Sequence, residues 1–169
     1  MTESIWGMPM INEKRGPVSI PDSHKECIMC GSNNESSFNL KFNLDETGCV
    51  STVFQGNRNL QGYEGLMHGG IISSLLDCAM TYCLFSRNVE ARTAELIVRF
   101  IKPVPCDSSL FIKAWVISAS HSLYSLYRLK AELSSNNGLL ARAESKFIEI
   151  KSNIKEQYQK KNAQNAGQG

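Results

Sequence analysis

The stretch Gly62-Tyr63-Glu64-Gly65-Leu66-Met67-His68-Gly69-Gly70-Ile71-Ile72-Ser73-Ser74-Leu75-Leu76-Asp77 decides how this chain is read. A glycine-rich turn carrying His68 runs into Gly69-Gly70 and then into an apolar helical pattern broken by one carboxylate, Asp77. A helix that starts on glycines offers bare backbone N–H groups and the positive end of its dipole, which suits a polarised carbonyl or an anion. A lone acid among apolar residues is costly unless it is paired, hydrogen-bonded or used. Together the two features read as a grip for an electrophile and a base.

The pattern around this stretch predicts the rest of the fold. Ile71, Ile72, Leu75, Leu76, Ala79, Met80, Cys83 and Leu84 recur at helical spacing, with small or weakly polar residues between them. A helix apolar on nearly every side is surrounded by protein. Its polar members, Ser73, Ser74, Asp77 and Thr81, make residues 69–86 a core helix rather than a membrane span. Upstream, Phe38, Leu40, Phe42 and Leu44 alternate with polar residues as a half-buried strand, and Asp45-Glu46-Thr47-Gly48 turns into a second strand, 49–55. Downstream, strands are expected over 95–102, 110–118, 123–133 and 139–150, with Asn136-Asn137-Gly138 as a type I′ hairpin turn. The layout is α+β, one curved antiparallel sheet wrapped around one long helix. Its open edges favour pairing with a second copy. Residues 1–35 read as an irregular N-terminal segment, 36–150 as the domain, and 151–169 as a polar tail without fixed structure.

Composition excludes several classes. The chain has 169 residues, 42% apolar and 20% charged, the profile of one globular domain. A formal charge of +2 is too small to argue for a nucleic-acid partner. No basic region followed by an apolar run opens the sequence, so a cytoplasmic location is expected, with no membrane partner. The six cysteines are then expected as free thiols.

Spacing constrains the site. Eight residues of helix hold Gly69 and Asp77 roughly 12 Å apart, too far for one carbonyl to touch both on one chain. If both act on one substrate, the second group comes from another copy, and a two-fold dimer with antiparallel helices supplies it.

The segment Gly62–Met80 resembles the hotdog-fold acyl-CoA thioesterases, in particular the phenylacetyl-CoA thioesterase-like branch with a His-Gly-Gly turn and an acid nine residues after the histidine. Arg92-Thr93-Ala94-Glu95-Leu96, the strand end Lys102-Pro103-Val104-Pro105 and Cys27-x-x-Cys30-Gly31 are similar to that family too, so the resemblance covers about residues 24–150. It implies that the Gly69 N–H stabilises the oxyanion, that Asp77 acts as general base or as nucleophile, and that Thr93 helps orient the water. It implies that His68 shapes the turn near the thioester, with Gly70, Met67 and Met80 along the substrate. The amide side chain that several relatives carry before the turn is matched only loosely, by Gly62 with Gln61 and Asn59 nearby. Dimers and dimers of dimers are the implied assemblies, acyl-CoA the substrate, and no cofactor is required. The alternatives are an acyl-CoA-binding or scaffold protein that does no chemistry, and a dehydratase, which needs a histidine at the substrate β-carbon.

The chemistry suits the residues independently. A thiolate leaves readily, so thioester hydrolysis needs an activated water and a carbonyl-polarising N–H but little general acid. No Gly-x-Ser-x-Gly elbow supports a serine hydrolase, and neither Ser73 nor Ser74 has an evident histidine partner. His24-x-x-Cys27-x-x-Cys30 invites a zinc reading, but no second pair at zinc-ribbon spacing follows, so the expectation is a packing role and no metal.

Overall fold

In a computed structural model, which describes residues 16–121 and 125–149, helix α1 (Gly69–Phe85) lies against one antiparallel sheet of seven strands. The strands are β1 (Gly16–Pro17), β2 (Asn43–Leu44), β3 (Val50–Gln55), β4 (Ala91–Phe100), β5 (Ser109–His121), β6 (Ser125–Ser135) and β7 (Gly138–Glu149). Their order across the sheet is β1-β2-β3-β5-β6-β7-β4. This is the predicted hotdog layout, a curved sheet around one central helix. Among the described residues, no helix is long and apolar enough to cross a membrane.

Alternation explains how the sheet takes the helix. Leu110, Ile112 and Ala114 of β5 and Leu129, Ala131 and Leu133 of β6 point inward and are fully buried, while Phe111 and Ile117 point out. Ala114, Ala131 and Ala143 pair across β5, β6 and β7, flanked by Val50 of β3 and Val98 of β4. That row of small side chains leaves room for α1, whose Leu75, Leu76, Ala79, Met80 and Cys83 are fully enclosed. The helix closes at Ser86, where the Arg87 guanidinium donates to the Cys83 carbonyl at 2.7 Å, serving an acceptor that the helix end leaves open.

Three expectations change in detail. The predicted strand over Phe38–Leu44 has its alternation, with Leu40, Phe42 and Leu44 buried and Lys41 and Asn43 exposed, but only Asn43–Leu44 joins the ladder. Asn39 sits in the left-handed region at φ +50°, and the segment is held instead by Leu40 N–H to the Met29 carbonyl and Val18 N–H to the Phe42 carbonyl. The strand expected from Glu95 begins at Ala91, because Arg92 and Thr93 also pair with β7 through a bulge before Glu95. In the β6–β7 hairpin only Gly138 has positive φ, +96°, and the register shifts after Leu133. That is a loop with a glycine bulge rather than a type I′ turn.

The N-terminal segment joins the same core. Met29 and Cys30 are buried, and Gly16–Pro17 pairs with β2. The Tyr82 hydroxyl on α1 donates to the Leu40 carbonyl at 2.8 Å, both groups being buried. Tyr82→Phe leaves that carbonyl without its partner and is expected to cost about 1–2 kcal/mol of stability. Urea unfolding checks this: the midpoint should fall at an unchanged slope. The expected polar tail, 151–169, lies outside the described residues.

Candidate active site

The helix start is built by its own turn. His68 caps α1 in an extended conformation (φ −63°, ψ 134°), and its Nδ1 accepts the Gly70 N–H at 2.9 Å. An accepting Nδ1 places the ring proton on Nε2. A Cβ on Gly70 would stand 2.9 Å from that Nδ1, so a side chain there would push the capping ring away. The turn is anchored to the rest of the chain by His68 N–H to the Leu60 carbonyl and Met67 N–H to the Val104 carbonyl, each at 2.8 Å. Gln61 Oε1 accepts the Gly65 N–H at 3.3 Å, which commits that amide oxygen to the loop. With Gly70 capped, and with Ile71 and Ile72 bonded to the His68 carbonyl, the Gly69 N–H is left without an acceptor among the described residues. The ring of Phe100, at the end of β4, lies beside this position, 3.4 Å from where a Gly69 Cβ would be.

Two turns further on, Asp77 is half-buried and its Oδ1 accepts the Thr93 hydroxyl at 2.8 Å. Burial pushes the Asp77 carboxyl up from its ordinary value, against the Thr93 hydrogen bond and the attraction of His24, which pull it down. Thr93 reaches Asp77 because the β4 bulge turns it toward the helix. The pair opens on a cavity of about 270 Å³ lined also by Ser73, Ser74, Leu96 and Met29. Ser73 and Ser74 donate their hydroxyls to the carbonyls of Gly69 and Gly70, each at 2.9 Å, so neither is poised as a nucleophile.

Met67 and Met80 are buried in the core and do not line this cavity. His24, Cys27 and Cys78 do line it. The Cys30 thiol stands 3.7 Å from His24 Nδ1, and its neighbours, Cys78 first and then His24 and Cys27, hold it well below its ordinary value against its own desolvation. Nothing in the spacing along the sequence links Cys78 to His24 and Cys27, with which it lines the cavity. Only the packing of residues 24–31 onto α1 brings them together.

Residues 64–126 match the thioesterase superfamily. An acyl-coenzyme A thioesterase of Mus musculus, THEM4, is 37% identical over 73 residues, which is 43% of this chain and 31% of the mouse protein. The chain thus spans about a third of that relative's length. A hypothetical thioesterase from Streptococcus pneumoniae TIGR4, crystallised with coenzyme A, superposes with a TM-score of 0.58 at 18% identity, over 63% of this chain and 83% of the other. The E. coli PaaI protein from the phenylacetic acid degradation operon superposes with a TM-score of 0.55 at 19% identity, over 62% and 74%. These likenesses are to hotdog-fold structures, and the fold of this chain is theirs.

Proposed function

We propose that this hotdog-fold chain, matched by the thioesterase superfamily from residue 64 to 126, hydrolyses acyl-CoA thioesters to the free acid and CoA at a site shared by two copies. The observation that carries the reading is one rigid helix bearing two unfinished groups. At its start is an N–H with no acceptor, Gly69; two turns on is a half-buried carboxylate held by Thr93 at a cavity, Asp77. The thioester carbonyl oxygen accepts the Gly69 N–H, which strengthens as charge develops on that oxygen. Asp77 takes a proton from water as the water oxygen bonds to the carbonyl carbon. Thr93 spends its own hydrogen on Asp77, so its oxygen lone pairs are free to accept from that water. When the tetrahedral intermediate collapses, the C–S bond breaks and the proton on Asp77 goes to the departing thiolate. Attack by Asp77 itself, through a mixed anhydride, uses the same atoms with water entering second.

Strand β4 supports the division between copies. It lies at an end of the sheet, with β7 as its neighbour on one side only. Ile97 is 59% exposed and Phe100 52%, an apolar edge of the kind that a second chain covers. Thr93, near one end of this strand, touches Asp77, and Phe100, at the other, lies beside Gly69. Antiparallel pairing of two β4 strands about an axis at Ile97 sets Phe100 of one copy against Ala94 of the other, next to Thr93 at the bulge. Opposite residues in such a pair are about 5 Å apart, so Asp77 of one copy approaches Gly69 of the other. Pairs of such dimers would give a tetramer.

Thiol release from a panel of acyl-CoAs tests the reaction; no turnover on any of them would leave an acyl-CoA-binding protein in its place. Co-expressing Gly69→Pro and Asp77→Asn chains tests the sharing. Each variant alone is inactive, and equal mixing restores about a quarter of the parent activity, because half the dimers are mixed and each holds one intact site of two. No recovery in isolated mixed dimers would put each site within one chain.

A further inference from the structure

We propose that His24, Cys27, Cys30 and Cys78 bind one zinc-class divalent cation, which ties the N-terminal segment to helix α1 one residue beyond Asp77. The ligand atoms of His24, Cys27 and Cys30 all lie within 4.8 Å of one another, and Cys30 Sγ stands 3.7 Å from His24 Nδ1. A tetrahedral zinc site with metal–sulfur bonds of about 2.3 Å has ligand atoms about 3.8 Å apart, so small rotations of the side chains close this set around an ion. Cys78, on the helix, lines the same cavity as His24 and Cys27 and is the side chain placed to turn in and complete the set. Three thiol groups and one imidazole make a Cys₃His set, a closed four-ligand arrangement typical of structural zinc.

The backbone around the sulfurs is shaped for anions. Met29 N–H points at Cys27 Sγ from 3.4 Å, and Gly31 N–H returns to the Cys27 carbonyl at 2.8 Å. This tight turn admits no side chain after Cys30: a Cβ on Gly31 would fall 2.3 Å from the Lys25 carbonyl oxygen and 2.5 Å from the Cys27 nitrogen. His24 is fixed from the other side, its ring edge-on to Phe85 at 4.9 Å between centroids. Such outer contacts orient ligands and are part of a metal site's design. A disulfide is the competing use of these sulfurs. It would consume two of them and leave the third, together with the imidazole, converging on nothing. Borderline-soft divalent ions fit this mixed nitrogen and sulfur set, whereas magnesium and calcium want oxygen.

The experiment is metal analysis and cobalt substitution on the full chain, purified reduced and with zinc supplied during expression. The expected result is one equivalent of zinc per chain. Exchange for Co²⁺ should give tetrahedral bands in the visible and thiolate-to-cobalt charge transfer in the near ultraviolet. Cys27→Ser and Cys30→Ser should each lose the metal. Cys78→Ser should either lose it or reduce the charge-transfer intensity by about a third, one thiolate of three. Cys49→Ser, whose thiol lies outside the cluster, should keep the full spectrum. Absence of zinc and of cobalt–thiolate bands in the folded, reduced parent protein overturns the proposal, as does a Cys30–Cys78 disulfide found in place of metal. Unchanged bands in Cys78→Ser remove the tie to the helix and overturn that assignment. None of these readouts depends on thioester hydrolysis, so failure of the metal site and failure of the proposed reaction are told apart.

Discussion

Asp77→Asn is expected to lower acyl-CoA hydrolysis by on the order of a hundredfold or more, with the fold intact. The substitution keeps shape and keeps an oxygen where Oδ1 now accepts the Thr93 hydroxyl, so the hydrogen bond that positions the group survives. What it removes is the capacity to take a proton from water. The carboxyl is half-buried and burial disfavours its charged form, so exchanging it for a neutral amide carries little penalty in stability. The loss therefore falls on kcat, with KM nearly unchanged, since a base that acts as the proton moves contributes to the transition state and not to substrate binding. Thiol release measured beside thermal unfolding separates this from misfolding. Parent-like rates in the variant would end the role assigned to Asp77, whether as base or as nucleophile.

Gly69→Pro should cost a comparable 10²- to 10³-fold, roughly 3–4 kcal/mol of transition-state stabilisation, by deleting one hydrogen. The position is unusually suited to the change. It is the first residue of α1, where proline is well accepted because its missing N–H is one the helix does not use. The preceding His68 already has the extended ψ of 134° that a following proline requires. The Gly69 N–H serves no acceptor among the described residues, so no internal bond is broken, and the new Cβ meets the Phe100 ring at an ordinary 3.4 Å. Gly69→Ala is the matched control: it adds the same Cβ and keeps the N–H. A folded Gly69→Pro protein with activity equal to Gly69→Ala would show that this N–H does not hold the oxyanion.

Much of this arrangement is legible in the chain because local rules set it. Helix α1 follows from apolar spacing, the strands β5 and β6 from alternation, and β7 from the hairpin signal at Asn136-Asn137-Gly138 that returns the chain along β6. Where long-range contacts decide, the reading stops short. Asn39 adopts a left-handed conformation that alternation does not announce, and so the segment before Asn43 leaves the ladder. Thr93 reaches Asp77 only through a bulge, a feature defined by the pairing of β4 with β7. Gln61 faces its own loop. Cys78, His24 and Cys27 line one cavity yet share no local pattern. A turn-forming or capping signal could be sought around Gly31, whose crowding marks a close backbone approach, but the partner on α1 comes from the tertiary fold alone.

The outer edge of β4 carries a consequence for the protein at low concentration. Each chain brings one N–H and one carboxylate but, with a helix of fixed pitch between them, no complete pair. Under the proposed sharing of each site between two copies, dissociation abolishes function outright and does not merely weaken it, and the fraction of working sites follows mass action. Dilution would silence the protein before it unfolds, and its turnover per chain would rise with the amount present until the apolar edges of Ile97 and Phe100 are all covered.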